Sequence, residues 1–364
     1  MMAAPSFEIA SLEADELASV LPECKALVQC ALVPAGYQAP ELIHPILARQ
    51  PAAALATVRQ GGRLAFACAA EHGKFFDRSL ASPLIASGLP LVDVKDAVEI
   101  LRAFLNSRSK PFLFTAVPAD GAFYEALQKA GGHHFVLRHW RRAGLGLRGT
   151  YENWLADNFD HKRRKELKRL RARLAEQGAL KSESLNHISA LPGFVEDLLQ
   201  LESNGWKGAR GTALQNSADG AEAFREAAHA LAAAGKLRFW RISLNGAAIA
   251  TLFAIVEGHE AWLGKIAYDE RFAKYSPGTL LILDATQSLF TEGTITRVDS
   301  SAIPGHPMID RIWRDRIGFQ DVLVAGEGVS PLGFWLVAWG LLAKQIIRDM
   351  AKAAFYWLSK RKRS

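Results

Sequence analysis

The stretch KIAYDERFAKYSPGTLLILDATQSLF, residues 265–290, decides how this chain is read. A strand-like run ending at Ile266 meets a basic turn, Arg271 to Gly278, that contains Pro277 and Gly278. An apolar-periodic helix is predicted from about Thr279. This order sets the free N–H groups of a helix's first turn beside Arg271 and Lys274. Backbone donors and the positive end of the helix dipole suit a phosphate there. The amides around Ser276, Gly278, Thr279 and Leu280 are the candidate cradle. An ordinary strand–turn–helix connection uses the same turn residues and is the competing reading.

Around this stretch the elements alternate. In the first half, 53–59 and 63–70 flank Gln60-Gly61-Gly62 as a hairpin. A helix is predicted over 92–105, a strand over 111–117, a helix over 121–130 and a strand over 134–145. A turn at 144–149 separates the halves. The second half opens with helices over 151–158 and from His161 to Gln177, ended by Gly178. A strand over 180–185 and helices near 191–203 and 221–234 follow. Strands come next over 237–244, 247–256 and 260–267, the first two joined by Asn245-Gly246. The helix from Thr279, a strand over 296–299, a helix near 308–316 and a strand over 319–324 complete the half. The expected fold is therefore mixed α/β (α+β), with two related mixed-sheet halves packed together. The expected units are 1–149, 150–328 and a tail helix over 329–364.

At 364 residues, 49% hydrophobic and 22% charged, the chain can build real cores. Cys24, Cys30 and Cys68 form no CxxC pair and read as reduced thiols of a cytosolic protein. The start MMAAPSFEIASLEADELASV has neither a basic nor an apolar signal region. The net charge of +7 is concentrated. Residues 161–177 hold eight Lys/Arg against Glu166 and Glu176, and 331–364 hold seven against Asp349. The remainder is slightly acidic, which weakens any argument from overall charge to nucleic acid.

Several motifs carry no chemistry. Gly144-Leu-Gly-Leu-Arg-Gly149 matches a dinucleotide fingerprint in letters, but the strand before it is rich in Arg and His. His133-His134 lacks further ligands at metal spacing, so no metal site is expected. GxSxG and Walker motifs do not occur.

Five motifs in order carry a family likeness: ESNGWKG (202–208), GTA (211–213), KIAYDE (265–270), SPG-LL (276–281) and DSSAIPGHPMIDRIWRDR (299–316). Together they resemble the tandem GNAT-fold acetyltransferases labelled as involved in cellulose biosynthesis, relatives of the Fem-type aminoacyltransferases. The likeness covers 150–325 in sequence and the first half in layout only. It implies acyl transfer from acetyl-CoA, or another acyl-CoA, to an unidentified amine or hydroxyl of an envelope or polysaccharide-related acceptor. The short Arg/Gln-x-x-Gly-x-Gly/Ala turn of typical GNAT enzymes is replaced by the longer Arg271–Gly278 segment.

Acyl transfer needs a deprotonated nucleophile, a polarised thioester carbonyl and an acid for the thiolate. Glu202 is the first candidate base or amine-binding carboxylate, with Trp206 as a wall and Lys207 for an acidic substrate group. A helix-end ion pair beside a packed Trp is the alternative. Lys265, inside an apolar strand, contacts substrate or cofactor, or is simply paired. Tyr268 is a candidate acid for the thiolate. Asp299 and His306 form a candidate Asp–His base. Asp310, Arg311, Arg314 and Arg316 read as a solvated helix face.

Two basic elements remain. The helix 161–177 packs by Leu167, Leu170 and Leu174, and its other faces are solvated or attract an anionic group. The Fem relatives take their donor from tRNA, so a tRNA-dependent aminoacyltransferase is the second reading. An inactive GNAT-fold scaffold in envelope assembly is the third. The tail 331–364 is apolar to Ala343 and too short there to span a bilayer. Lys344, Arg348 and Lys352, with Trp335, Trp339 and Trp357, make it an amphipathic helix suited to an anionic membrane surface. That places the protein in the cytoplasm, peripheral on the inner membrane face.

Overall fold

A computed structural model describes residues 6–205, 211, 213–216 and 218–361. Element labels below follow these described residues. The first half comprises β1 (Phe7–Leu12), α1 (Leu17–Gln29), α2 (Pro40–Leu47), β2 (Ala53–Gln60), β3 (Arg63–Glu71), β4 (Asp77–Ser79), β5 (Leu91–Val92), α3 (Ala97–Asn106), β6 (Phe112–Pro118), α4 (Ala122–Lys129) and β7 (His133–Gly146). The second comprises α5 (Tyr151–Asn158), α6 (His161–Ala175), β8 (Leu180–Ser184), α7 (Leu191–Asn204), α8 (Ala218–Ala233), β9 (Leu237–Leu244), β10 (Ala247–Glu257), β11 (Glu260–Tyr268), α9 (Pro277–Glu292), β12 (Arg297–Asp299) and β13 (Asp315–Ala325). The tail is α10, Pro331–Arg361.

Both halves share one sheet of thirteen strands among the described residues, in the order β1-β2-β3-β4-β6-β13-β7-β12-β11-β10-β9-β8, with β5 paired to β3. Pairing is antiparallel except at β4–β6 and β11–β12. Strand β13, late in sequence, inserts between β6 and β7 of the first half. This exchange binds the halves into one body. The largest core cluster confirms it, joining Phe66, Phe104, Phe112 and Phe114 of the first half to Phe239 and Phe253 of the second. At the surface between them, Arg49, just past the end of α2, is tied to Glu226 of α8 by an ion pair at 2.6 Å.

Local sequence explains most boundaries. Thr150 and Asp160 accept hydrogen bonds from Asn153 N and Arg163 N and so cap α5 and α6. Asn245 and Gly246 both have positive φ, as the tight β9–β10 hairpin requires. Two expectations fail. No α-helix forms over 308–316: a 3-10 turn at Ile309–Arg311 gives way after three residues to β13. Trp313 is fully buried there and donates from Nε1 to Thr286 Oγ1 at 3.1 Å, while Asp315 onward pairs with β7. Asp310, Arg311, Arg314 and Arg316 therefore share no helix face. The turn expected at 144 also fails, because β7 continues to Gly146, pairing with both β12 and β13. Gly144 is needed there because the Ile317 side chain occupies the space of a Cβ. The first fifty residues, unassigned from sequence, contain β1, α1 and α2. Cys24 and Cys68 are buried free thiols and Cys30 is half-buried.

Candidate active site

Strands β11 and β12 pair in parallel only over Glu260–Trp262 and Arg297–Asp299. Beyond Trp262, β11 keeps its β10 partner but parts from β12. The parting opens a cleft of about 290 Å³ lined by Lys265, Ser301, His306, Met308, Ile282 and Tyr37. Tyr37, carried in by the first half, bridges the wedge: its hydroxyl donates to Leu263 O or Ser301 Oγ, at 3.1 and 2.7 Å. Burial holds its phenol above the usual range, so it stays protonated.

A β-bulge aims the next group. Leu252 pairs with Ile266 and Ala254 with Leu263, so β11 carries one residue more than β10 across Gly264 and Lys265. Gly264 is required because the Phe253 ring fills the space of any Cβ. Bulges re-aim side chains, and here Lys265 lines the cleft. Its Nζ lies 2.7 Å from Glu202 Oε1. Glu202 ends α7, is 2% exposed, and its other oxygen accepts from Leu214 N at 2.9 Å. The two carboxylate and ammonium candidates are thus one buried ion pair. Trp206 and Lys207 lie outside the described residues.

At the far end of β11 the chain turns into α9. Ser276, the N-cap residue, sits in the left-handed region with φ 53° and offers no side-chain cap. Pro277 has no N–H, and the first helical bond runs from Leu280 N to Ser276 O at 3.1 Å. The amides of Gly278 and Thr279 therefore precede the helical ladder. A Cβ on Gly278 would stand 3.0 Å from Met308 Sδ and 3.2 Å from Tyr268 Cδ1. Tyr268 thus walls this corner rather than the end lined by Lys265 and His306. Ser276 and Thr279 stay half-exposed, whereas Gly278 and Leu280 are buried. Arg271 is bound to Asp269 in its own turn, at 2.6 Å, and Lys274 lies over the Tyr275 ring.

The Asp–His pair is corrected by the geometry. Asp299 gives both carboxylate oxygens to Arg142, at 2.8 and 2.5 Å, with both side chains buried. Oδ1 also accepts from Ser301 N, and the Arg142 guanidinium lies over the Phe319 ring. This is a strut from β7 to the cleft loop, formed because a buried carboxylate needs a cation more than an imidazole. His306 Nδ1 accepts from Met308 N and Ile309 N at 3.3 and 3.4 Å. Neutral His306 therefore carries its proton on Nε2.

Three contributors were missed from sequence: Tyr37, Gly264 and Ser301. Only Gly264, a lone glycine within a strand pattern, left a local signal.

Residues 161–304 match the family described as acetyltransferase (GNAT) domain. No curated protein matches the chain. Among solved structures, the C-terminal domain of a putative lysylphosphatidylglycerol synthetase from Agrobacterium fabrum is similar at 13% identity and TM-score 0.58, over 90% of this chain and 97% of that one. L-PGS from Bacillus licheniformis is similar at 12% identity and TM-score 0.54, over 87% and 95%. FemX is similar at 11% identity and TM-score 0.53, over 91% and 100%. At these identities the likeness is one of fold, and the fold is that of the GNAT-type acyltransferases.

Proposed function

We propose that this protein transfers an acyl group, most simply acetyl, from an acyl-CoA to an amine or hydroxyl of an envelope or polysaccharide-related acceptor. The observation that carries this reading is the continuity of the parted β11 edge with the uncapped start of α9. An extended thioester arm can pair with the free backbone of β11 while its diphosphate meets the Gly278 and Thr279 amides. The Ser276 hydroxyl and, after release from Asp269, Arg271 would complete the diphosphate site, with Lys274 beside it; the Leu280 amide, expected in the cradle, is spent on Ser276 O and takes no part.

In this reading the thioester carbonyl lies near Lys265, whose cation stabilises the charge that develops on oxygen. Glu202 holds Lys265 in place and supplies the carboxylate that draws the acceptor's proton through water. His306, with its proton on Nε2, donates a hydrogen bond to the leaving thiolate, which takes up through water the proton that Glu202 drew from the acceptor. Tyr268 closes the carrier side, and Asp299 positions the loop that carries Ser301.

Calorimetry with acetyl-CoA tests the proposal: binding near one per chain is expected, and Gly278→Leu should abolish it by filling the corner. Flat heats with the folded wild type would end it. A tRNA-carried aminoacyl donor is the second reading, favoured by the cations along α6, and a gel shift with tRNA decides between them.

We further propose that α10 rests on the inner face of an anionic membrane. No helix among the described residues is long and apolar enough to cross one. Phe334 and Ala338 are buried against the sheet with Leu113, Leu323 and Ala325. Away from that contact the helix exposes Leu332, Leu336, Ile346, Ile347 and Met350 at helical spacing, and Trp335 and Trp339, also exposed, border them where they lean on Phe135 of β7. Lys344 and Arg348 flank this stripe, and an apolar face with flanking cations matches a headgroup layer.

A further inference from the structure

We propose that the groove between α6 and α9 is a second ligand site, taking a phosphoryl group carried on an apolar or aromatic body. The groove has a volume of about 620 Å³ and lies across α9 from the acyl cleft: Leu280 and Leu283 line it, whereas Ile282 lines the cleft. Leu155 and Tyr151 complete its apolar floor. Its rim is cationic. His161, Arg164, Lys165, Lys168 and Arg171 recur at helical spacing along α6 and all border the groove.

Charge is not balanced there. Asp284 is the acid of the lining and is spent on Arg171 and, at 2.9 Å, on Ser182 Oγ. Glu166, on the same helix, is spent on Arg169. No ion pair among the described residues neutralises Arg164, Lys165 or Lys168. Arg164 Nε is moreover buried without a hydrogen-bond partner. A buried donor left unmade carries a desolvation penalty that a bound acceptor oxygen would recover. Three cations, one of them with an unfilled guanidinium donor, around an apolar floor fit a phosphate ester better than a carboxylate or a neutral sugar. Tyr151, stacked on Trp154, offers a ring to the body of the ligand.

The site stands apart from the thioester reading, which supplies only one of two sources for the phosphoryl group. The carrier's nucleotide phosphate could reach over the first turn of α9, or the acceptor could bring its own. Lysine footprinting on the full chain, read by mass spectrometry, tests the site with inorganic pyrophosphate, CoA and dephospho-CoA as probes. With a probe at ten times its Kd, labelling of Lys165 and Lys168 should fall about tenfold. Lys162, exposed on the same helix outside the groove, should label unchanged. Protection by CoA but not by dephospho-CoA assigns the groove to the carrier's 3′-phosphate. Equal protection by both keeps the groove as a phosphoryl site but moves the carrier's diphosphate into it from the Gly278–Thr279 corner. Protection by pyrophosphate alone assigns it to a phosphorylated acceptor. Undiminished labelling with all three overturns the proposal. Arg164→Gln should abolish protection while the variant's circular dichroism stays that of the wild type. Because pyrophosphate protection does not require acetyl-CoA binding, failure here and failure of the transferase reading are separable.

Discussion

Single residues in the cleft owe their roles to distant partners. Glu202 and Lys265 stand out in sequence as charges within apolar surroundings, yet their pairing across 63 positions is set by the fold. Gly264 is the residue on which Lys265's orientation depends. Gly264→Ala should cost about 1–3 kcal/mol by driving a methyl into the Phe253 ring. Urea unfolding with an unmoved midpoint would show that the bulge tolerates a side chain. Asp299 illustrates the opposite lesson, a carboxylate that looks chemical and is structural. Arg142→Met, which strands Asp299 without its cation, should cost about 3–5 kcal/mol. Arg142→Met with Asp299→Leu should recover much of that loss. Full stability of the single variant would return Asp299 to the list of bases.

Among elements, the sequence was clearest where periodicity and caps agree. The hairpin of β2 and β3, the pair β9 and β10, and α6 are read directly from the glycine turn, Asn-Gly and the Gly178 stop. The segment 308–316 misled because helical spacing of Ile309, Ile312 and Trp313 arises there from a buried turn. Contacts between elements also make a pH prediction. Arg238 of β9 grips Glu292 at the end of α9 through two bonds, 2.9 and 2.6 Å. That hydrogen bonding holds the Glu292 carboxyl below its usual range despite partial burial. A carboxyl with a lowered folded pKa adds stability above its unfolded pKa, near 4.5, and loses it as pH falls through the folded value. Glu292→Gln should therefore lower stability by about 1–2 kcal/mol at pH 7. The difference should shrink as the pH falls below about 4.5, measured by denaturant midpoints. A gap that is constant with pH would deny the charge its part.

At the scale of the whole molecule, β13 closes the first half's sheet and α10 covers one of its faces. Truncating the tail would bare Phe334's site as well as remove the stripe, so substitution is the cleaner probe. Trp335→Ser with Trp339→Ser should release the protein from phosphatidylglycerol vesicles, and Lys344→Glu with Arg348→Glu should weaken binding and flatten its salt dependence. Neither pair touches the acyl cleft, so acetyl-CoA binding should persist. Equal pelleting of wild type and both variants would refute the membrane reading. By itself, the sequence determined the alternation of elements, the α/β class, the strand-to-helix turn at Ser276 and the two cationic helices. These are local properties, set by periodicity, caps and turn chemistry over a few residues. Only tertiary structure decided that β13 returns to the first half, that Tyr37 enters the second half's cleft, and that Asp299 answers Arg142. Each joins residues far apart in the chain, where burial of charge and sheet pairing, invisible to any short window, fix the outcome.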